Sequence, residues 1–151
     1  MLKDINEKKL ENIGHDQEIE HLSAGTFTSP CFPVNGIIHG LNSRFMVPLV
    51  CQRAKKPNSK VLNVWFLVDT ASPFTCLTVK TLEAFLGAGN VTEGNFYSFA
   101  IQDQNIRIQC QVSKVGTHFE FVNILGIDTM RSLEVSPIVN WRQSTFRLAK
   151  Q

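Results

Sequence analysis

Apolar residues follow two patterns along the body of the chain, and both are typical of β-strands. From Ile106 to Val112 apolar and polar residues alternate strictly, which predicts a strand with one face in solvent. Val61–Val68 (VLNVWFLV) is almost entirely apolar, the pattern of a strand that is covered on both faces. The sequence therefore predicts a mainly β fold.

Further strands are predicted where short apolar runs lie between polar or turn-forming residues: Arg44–Gln52, Phe96–Ile101, His118–Leu125, Pro137–Trp141 and Thr145–Leu148. The last two flank three polar residues and predict a terminal hairpin. Pro48 marks an edge or a bend, because proline has no N–H to donate to a neighbouring strand. Short strands at close spacing favour a barrel or a folded sheet over a βαβ architecture.

One or two short helices interrupt the strands. In Thr78–Leu86 apolar residues recur at helical spacing, and Gly87 follows as a stop signal. Asp128–Glu134 predicts a second, very short helix. We expect Asp128 to cap it, because an Asp oxygen can accept from the free N–H groups of the first turn.

The first 33 residues differ from the rest and predict an N-terminal extension and linker, followed by one domain over residues 34–151. Residues 1–24 contain three lysines and six acidic residues, with a weak helical stripe that Gly14 interrupts. Residues 23–33 are small and polar and contain two prolines. The extension is therefore predicted to be a short helix or a disordered arm.

Composition excludes several classes of protein. No apolar run approaches the roughly 18–20 residues of a membrane span, and a net charge of +2 with one short basic cluster predicts no nucleic-acid partner. The four cysteines are scattered, so we expect neither a metal site nor disulfides, but reduced thiols in a cytoplasmic protein. The four histidines suggest no Ser-His hydrolase.

The candidate chemistry lies at Asp69, which directly follows the apolar run in VWFLVDTASP. A carboxylate at the end of a buried strand loses water and needs hydrogen bonds. Thr70, Ala71 and Ser72 offer hydroxyls and backbone N–H groups in a tight loop. On these residues alone, an Asx turn at the end of a strand explains Asp69 as well as catalysis does.

Two motifs together resemble the retropepsin-like aspartic proteases of retroviruses and retrotransposons. Phe66–Ser72 is similar to the active-site loop of that family, two apolar residues followed by D-[ST]-G-[AS]. Asn123–Asp128 (NILGID) is similar to the family's apolar-apolar-G-x-[DN] motif, which precedes a short C-terminal helix. Hairpin-like sequence separates the two motifs and a strand-turn-strand follows them, so the resemblance spans about Gly40 to Lys150.

The resemblance implies a closed β-barrel of six to seven strands that works as a symmetric homodimer, each chain supplying Asp69. Two carboxylates about 3 Å apart share a proton, so one acts as general base on a water while the other protonates the peptide carbonyl. The chain would then be an aspartic endopeptidase for an extended peptide or a polyprotein, without metal or cofactor. Thr70 would hold the two active-site loops together across the interface.

The resemblance also implies which residues contact the substrate. Ser72 and Phe74 of the active-site loop would line the subsites, together with Val122 and Ile124 from the strand before the C-terminal helix. These walls favour hydrophobic residues beside the scissile bond. A β-hairpin flap within Val91–Gln104 would close over the peptide.

The sequence departs from the family at three positions. Ala71 stands where the family has Gly, while Ile127 and Pro73 stand where it often has an Arg and its acidic partner. The methyl group of Ala71 lies beside the expected dyad, although the Ala N–H remains available. Two functions therefore stay open: an active endopeptidase, or a catalytically impaired retropepsin-like domain that serves as a dimerisation or peptide-binding module.

Overall fold

Strands and short helices alternate along the chain in the computed structural model, which describes residues 4–151. In chain order the elements are α1 (Glu7–Asp16), β1 (Val34–His39), β2 (Arg44–Arg53), β3 (Val61–Val68), β4 (Cys76–Leu77), α2 (Val79–Leu86), β5 (Phe96–Ile101), β6 (Arg107–Val112), β7 (Ile124–Leu125), α3 (Ile127–Leu133), β8 (Val135–Asn140), a 3-10 turn (Trp141–Gln143) and β9 (Thr145–Lys150). The fold is mainly β, as predicted, with three short helices in the described residues where one or two were expected. The closed barrel and the homodimer stay predictions.

All nine strands belong to one mixed sheet in the order β3-β7-β4-β6-β5-β2-β1-β9-β8, and β3 pairs in addition with β2. The β3–β7 and β4–β6 pairs are parallel, and the others are antiparallel. The two-residue strand β7 therefore lies beside the last two residues of β3. This pairing brings the end of β3 next to the start of α3.

Strand β2 changes its neighbour along its length. Its first residues pair with β1, up to Met46, and its last residues pair with β5, from Cys51 onwards. Pro48 lies between these two ladders, where a residue without an N–H breaks no β1 or β5 pairing. The opposite edge of β2 pairs with β3 from Met46 to Gln52 without interruption.

The apolar side chains form two clusters. The main core lies between the sheet, α2 and α3, and is lined by large residues such as Phe66, Leu82 and Phe99. The second cluster lies between α1 and the outer face of β3; its buried members are Ile5, Leu10, Ile13, Met46, Trp65, Leu67, Val122 and Ile124. The strand that precedes Asp69 is thus covered on both faces, as its apolar run predicts.

Residues 4–25 pack against β3. Helix α1 begins after Asn6, whose side chain accepts a hydrogen bond from the backbone N–H of Lys9 (2.9 Å). The chain then runs antiparallel beside β3, with a bridge between Ala24 and Leu62. Of the two alternatives for the extension, the structure has the helix, and its apolar side completes the second cluster. The domain boundary at residue 33 stays a prediction.

Two predicted strand features are wrong. Only Ile124 and Leu125 of the expected strand His118–Leu125 form a strand. The preceding residues turn instead, because Gly116 has a φ of 82° and its N–H donates to the Glu120 carboxylate (2.7 Å). Local side-chain bonds of this kind compete with a sheet ladder.

The β-hairpin expected within Val91–Gln104 does not form, because that range contains a single strand, β5. The hairpin formed by β5 and β6 turns at the opposite end of the sheet from Asp69. Its Gln104 side chain donates to that of Gln52 (3.1 Å), which pairs with the first residue of β3, Val61. Over residues 4–151, every helix is too short or too polar to span a lipid bilayer.

Candidate active site

Asp69 lies directly after β3, partly exposed, where the parallel strand β7 ends beside it. Its backbone N–H donates to the carbonyl of Leu125 (3.1 Å), which continues the β3–β7 ladder by one bond. The residue is thus placed by the sheet rather than by a flexible loop. The sheet also brings Asp69 next to Gly126, from the second motif.

The active-site loop is held by its own aspartate. One carboxylate oxygen of Asp69, Oδ1, accepts from the backbone N–H of Ala71 (3.0 Å), and the Asp69 carbonyl accepts from the N–H of Ser72 (3.1 Å). Ala71 is exposed and lies outside the left-handed region of φ. The backbone of this single chain therefore has no need of glycine at that position.

Thr70 is at the tip of the loop and is exposed. Within the described part of the chain, its hydroxyl has no hydrogen-bond partner. This placement leaves both the donor and the acceptor of the hydroxyl available to a group outside the chain.

The second motif contacts the active-site loop directly. The N–H of Ile127 donates to the carbonyl of Ser72 (2.8 Å). A Cβ on Gly126 would lie closer to the carbonyl oxygen of Phe74 than real Cβ atoms approach backbone. The glycine of this motif is therefore required by the close approach of two backbone segments.

Asp128 is not the N-cap residue of the C-terminal helix, which corrects the prediction. Helix α3 begins one residue earlier, after Gly126, and has no side-chain cap. Asp128 lies in the first turn, and its Oδ1 accepts from the hydroxyl of Thr75 (2.7 Å) and the N–H of Thr129 (2.7 Å). Its Oδ2 accepts from the Thr75 N–H (3.2 Å). The carboxylate ties α3 to the chain after the active-site loop.

Two buried polar residues that the sequence did not single out as site residues complete this support. The hydroxyl of Thr75 also accepts from the N–H of Gly126 (3.0 Å). The side chain of Asn123 accepts from the N–H of Thr78 (2.9 Å) and donates to the carbonyl of Trp65 (3.3 Å). Nothing in the sequence distinguishes these residues from exposed ones, although Asn123 opens the second motif.

The Asp69 carboxylate lies in a cleft of about 310 Å³, which is lined by Ser43, Arg44, Phe45, Leu67, Val68, Asp69, His118 and Phe119. The Arg44 guanidinium is bound by Asp4, with Nε donating to Oδ2 (3.1 Å) and Nη2 to Oδ1 (3.0 Å). These bonds lower the pKa of the Asp4 carboxyl to about 2. Among the residues that line the cleft, Asp69 is the acidic one. A mechanism with two carboxylates therefore requires a second carboxylate from outside the cleft.

A larger, mainly apolar groove of about 880 Å³ adjoins the cleft. It is lined by Ser72, Phe74, Cys76, Glu93, Gly94, Asn95, Phe96, Gln111, Val112, Ser113, Lys114, Thr117, His118, Phe119 and Ile124. His118 and Phe119 line both hollows, so the groove and the Asp69 cleft are neighbours. These two residues were not among the predicted contacts.

Three of the four predicted contact residues lie in this groove: Ser72, Phe74 and Ile124. The fourth, Val122, does not, because its side chain is fully buried in the second cluster. The turns before it shift the alternation of faces that a continuous strand would have. Val122 therefore packs under α1 and cannot contact a substrate.

Cys76 also lines the groove but is poorly suited to act as a nucleophile. Burial raises the pKa of its thiol, and the nearby negative charge of Asp128 raises it further. A thiol with a raised pKa carries little thiolate near neutral pH. The candidate for acid–base chemistry is therefore Asp69 of the neighbouring cleft, rather than the cysteine of the groove.

Comparisons with known proteins found one kind of similarity. No protein-family model matches the sequence, and no curated protein matches it. Among solved structures, the chain is similar to a retropepsin-like aspartic protease from Rickettsia conorii, with 14% sequence identity and a TM-score of 0.49. That similarity covers 79% of this chain and 90% of the other.

Proposed function

We propose that the chain is an aspartic endopeptidase of the retropepsin-like type, active as a homodimer in which two copies of Asp69 form the dyad. One observation carries the proposal. Asp69 follows a buried strand, is hydrogen-bonded to its own loop, and lines a cleft that adjoins an apolar groove. An acid placed in this way is available to solvent and substrate while its backbone is fixed.

The chemistry follows from pairing two such carboxylates. Because Ala71 N–H occupies one oxygen of Asp69, the other oxygen is available to a water or to the second copy. Two carboxylates in contact cannot both ionise, so they share one proton. One then removes a proton from the attacking water while the other donates a proton to the carbonyl oxygen of the peptide.

Exposed groups near Asp69 suit a second copy of the chain. Leu41, in the β1–β2 turn, is fully exposed, and Trp141, in the β8–β9 turn, is 69% exposed. Both turns lie at the end of the sheet where β3 ends, because Ile37 pairs with Met46 and with Thr145. Exposed apolar side chains of this size are typical of interfaces, and the hydroxyl of Thr70 is also exposed.

The groove suits an extended peptide with apolar side chains. Phe74 and Phe96 are both more than half exposed, and with Phe119 they supply aromatic surface along the groove. Aromatic walls favour large apolar residues of a substrate. We infer that such residues flank the scissile bond, in a polyprotein processed in the cytoplasm.

The test is cleavage of a diverse peptide mixture between about pH 4 and pH 7 by the wild type, Asp69→Asn and Ala71→Gly. A matched control is Asp103→Asn, which removes a surface carboxylate in the β5–β6 turn. We expect the wild type and the Asp103 variant to cleave beside apolar residues and the Asp69 variant to lose cleavage. Sedimentation of each variant at the assay concentration reports the dimer separately.

The other outcomes separate the alternatives. Cleavage by Ala71→Gly alone would mean that one methyl silences a competent dimer. Silence of every variant at a concentration where sedimentation shows the dimer would contradict the protease and favour a dimerisation or peptide-binding module. Cleavage that persists in Asp69→Asn would exclude the proposed dyad.

A further inference from the structure

A buried histidine joins the N-terminal segment to the strand that carries Asp69. The side chain of His21 is only 2% exposed, and its Nδ1 accepts a hydrogen bond from the backbone N–H of Trp65 in β3 (3.1 Å). An acceptor nitrogen carries no proton, so this bond assigns the proton of the neutral imidazole to Nε2. A second proton can therefore add only at Nδ1, where it removes the acceptor of the Trp65 N–H.

The other ring nitrogen faces a carboxylate. His21 Nε2 lies 3.9 Å from Oε2 of Glu7 in α1, whose side chain is 17% exposed. This separation is beyond hydrogen-bond distance, and both carboxylate oxygens and Nε2 are buried without a well-formed hydrogen bond in the described chain. Burying polar atoms without hydrogen bonds costs free energy. The contact between His21 and Glu7 is therefore the least satisfied polar contact beside the second cluster.

The charged groups around the imidazole are few. Glu7 faces it from α1, and the charge of Lys80 in α2 acts on it. Lys80 Nζ lies 3.8 Å from Oε1 of Glu11, whose charge acts on Glu7. Burial, with the charge of Lys80, lowers the pKa of His21 to about 4. Burial also raises the pKa of Glu7, while the nearby Thr78 hydroxyl and Lys80 oppose that change.

The histidine lies in the middle of the contacts that hold the segment to β3. The indole Nε1 of Trp65 donates to the carbonyl of Ile19 (2.7 Å). On the other side of His21, the N–H of Leu22 donates to the carbonyl of Asn63 (2.7 Å), and the N–H of Gly25 donates to that of Val61 (2.9 Å). If the bond between the Trp65 N–H and His21 Nδ1 is lost, the contact at Ile19 is therefore no longer connected to the contacts at Leu22 and Gly25.

We propose that residues 4–25 form an acid-sensitive clasp on β3, which opens when a solvent proton adds to Nδ1 of His21 and breaks its bond to the Trp65 N–H. Opening uncovers the edge of β3 from Val61 to Trp65 and the apolar side chains beneath α1. The clasp acts on the strand that positions Asp69. It is independent of whether Asp69 cleaves peptides.

The direction of the pH dependence follows from linkage. In the open state His21 has its ordinary pKa of 6.5, and in the closed state its pKa is about 4, so the open state binds the proton more tightly. The equilibrium constant for closure has its full value above pH 6.5. It decreases as the pH falls to about 4, by up to about 300-fold from His21 alone. At pH 5 the same relation gives about 30-fold. Glu7 acts in the opposite direction, because its raised pKa makes its protonation favour closure.

Hydrogen exchange of the whole chain at pH 7 and pH 5 tests the clasp. We expect the protection factors of the Leu22, Gly25 and Trp65 amides, corrected for intrinsic exchange, to fall about tenfold or more relative to the β5–β6 amides. His21→Gln keeps an acceptor for the Trp65 N–H but does not titrate, so its protection should not depend on this pH change. The matched control His15→Gln, at an exposed histidine in α1 of the same N-terminal segment, should respond like the wild type.

Three outcomes would overturn the proposal. These are equal protection of the three wild-type amides at both pH values, a loss shared equally by the β5–β6 ladder, and the same response from both histidine variants. If His21→Gln does not fold, the wild-type comparison between the clasp amides and the β5–β6 amides still decides the question.

Discussion

Asp4 and Arg44 link the N-terminal segment to the mouth of the Asp69 cleft. Because the Arg44 bonds lower the pKa of Asp4 from 3.8 to about 2, the pair contributes stability above pH 3.8 and loses most of it as the pH falls to 2. The Asp4 side chain is 31% exposed, so solvent screening limits this contribution.

We therefore expect Asp4→Asn to lower the free energy of unfolding by about 1 kcal/mol or less at pH 7. The difference from the wild type should largely vanish at pH 2, measured by urea unfolding at both pH values. Glu11→Gln, which alters an exposed pair on α1, is the control and should change stability little at either pH. An equal loss for Asp4→Asn at both pH values would show that the ion pair is not the cause.

At the residue scale, the sequence was sufficient to single out Asp69 but not the residues that support it. Asp69 stood out because a carboxylate followed an apolar run, which is a local pattern. Thr75 and Asn123 form hydrogen bonds with residues that are about 45 to 58 positions away in the sequence. A local sequence pattern cannot predict contacts at such separations. Val122 was misplaced for a related reason, because its orientation depends on the turns that precede it.

Gly126 is the point where two elements meet, since α3 begins there against the carbonyl of Phe74. We expect Gly126→Ala to destabilise the protein by about 1–3 kcal/mol, because the added methyl meets backbone that must move. The movement should displace the active-site loop through the bond between Ile127 N–H and the Ser72 carbonyl. Urea unfolding measures the first effect, and the amide chemical shifts of residues 69–73 measure the second.

The matched control for this variant is Gly40→Asn in the β1–β2 turn. Gly40 has a φ of 72° and open space around it, and Asn tolerates that conformation. The control should change stability by less than about 0.5 kcal/mol. A neutral Gly126→Ala would show that the close approach of the two motifs is not tight.

At the element scale, the strands and the helix with a strong period were predicted well. Val61–Val68, the helix ending at Leu86 and the terminal hairpin all occur as expected, because each buries a regular set of side chains. The expected strand from His118 failed because local hydrogen bonds of Gly116 and Thr117 turn the chain. The expected flap is absent for a different reason. The turn between β5 and β6 was predicted correctly, but the sequence does not show at which end of the sheet that turn lies.

For the whole molecule, the packing of α1 predicts a single cooperative unit. Leu10 is fully buried in the second cluster, against side chains from the sheet. At pH 7, where the clasp is closed, we expect Leu10→Ala to lower the free energy of unfolding by about 2–5 kcal/mol in one transition. The measurement is urea unfolding followed by both circular dichroism and fluorescence.

Asn12→Ala, on the exposed side of the same helix, is the control and should lower stability little. An unchanged stability for Leu10→Ala would mean that α1 folds and unfolds apart from the sheet. The sequence could not predict this packing, because three apolar positions in a charged segment do not reveal which surface covers them.

The placement of α1 has a consequence for the order in which the protein folds. The helix is made before the strands that it covers, since its apolar side packs on Trp65 and Leu67 and on Ile124, which is about 110 residues later in the chain. Contacts of such sequence separation slow folding, because a long loop must close before they form. During synthesis the second cluster therefore cannot be complete until β7 has left the ribosome, although β3 can meet α1 earlier.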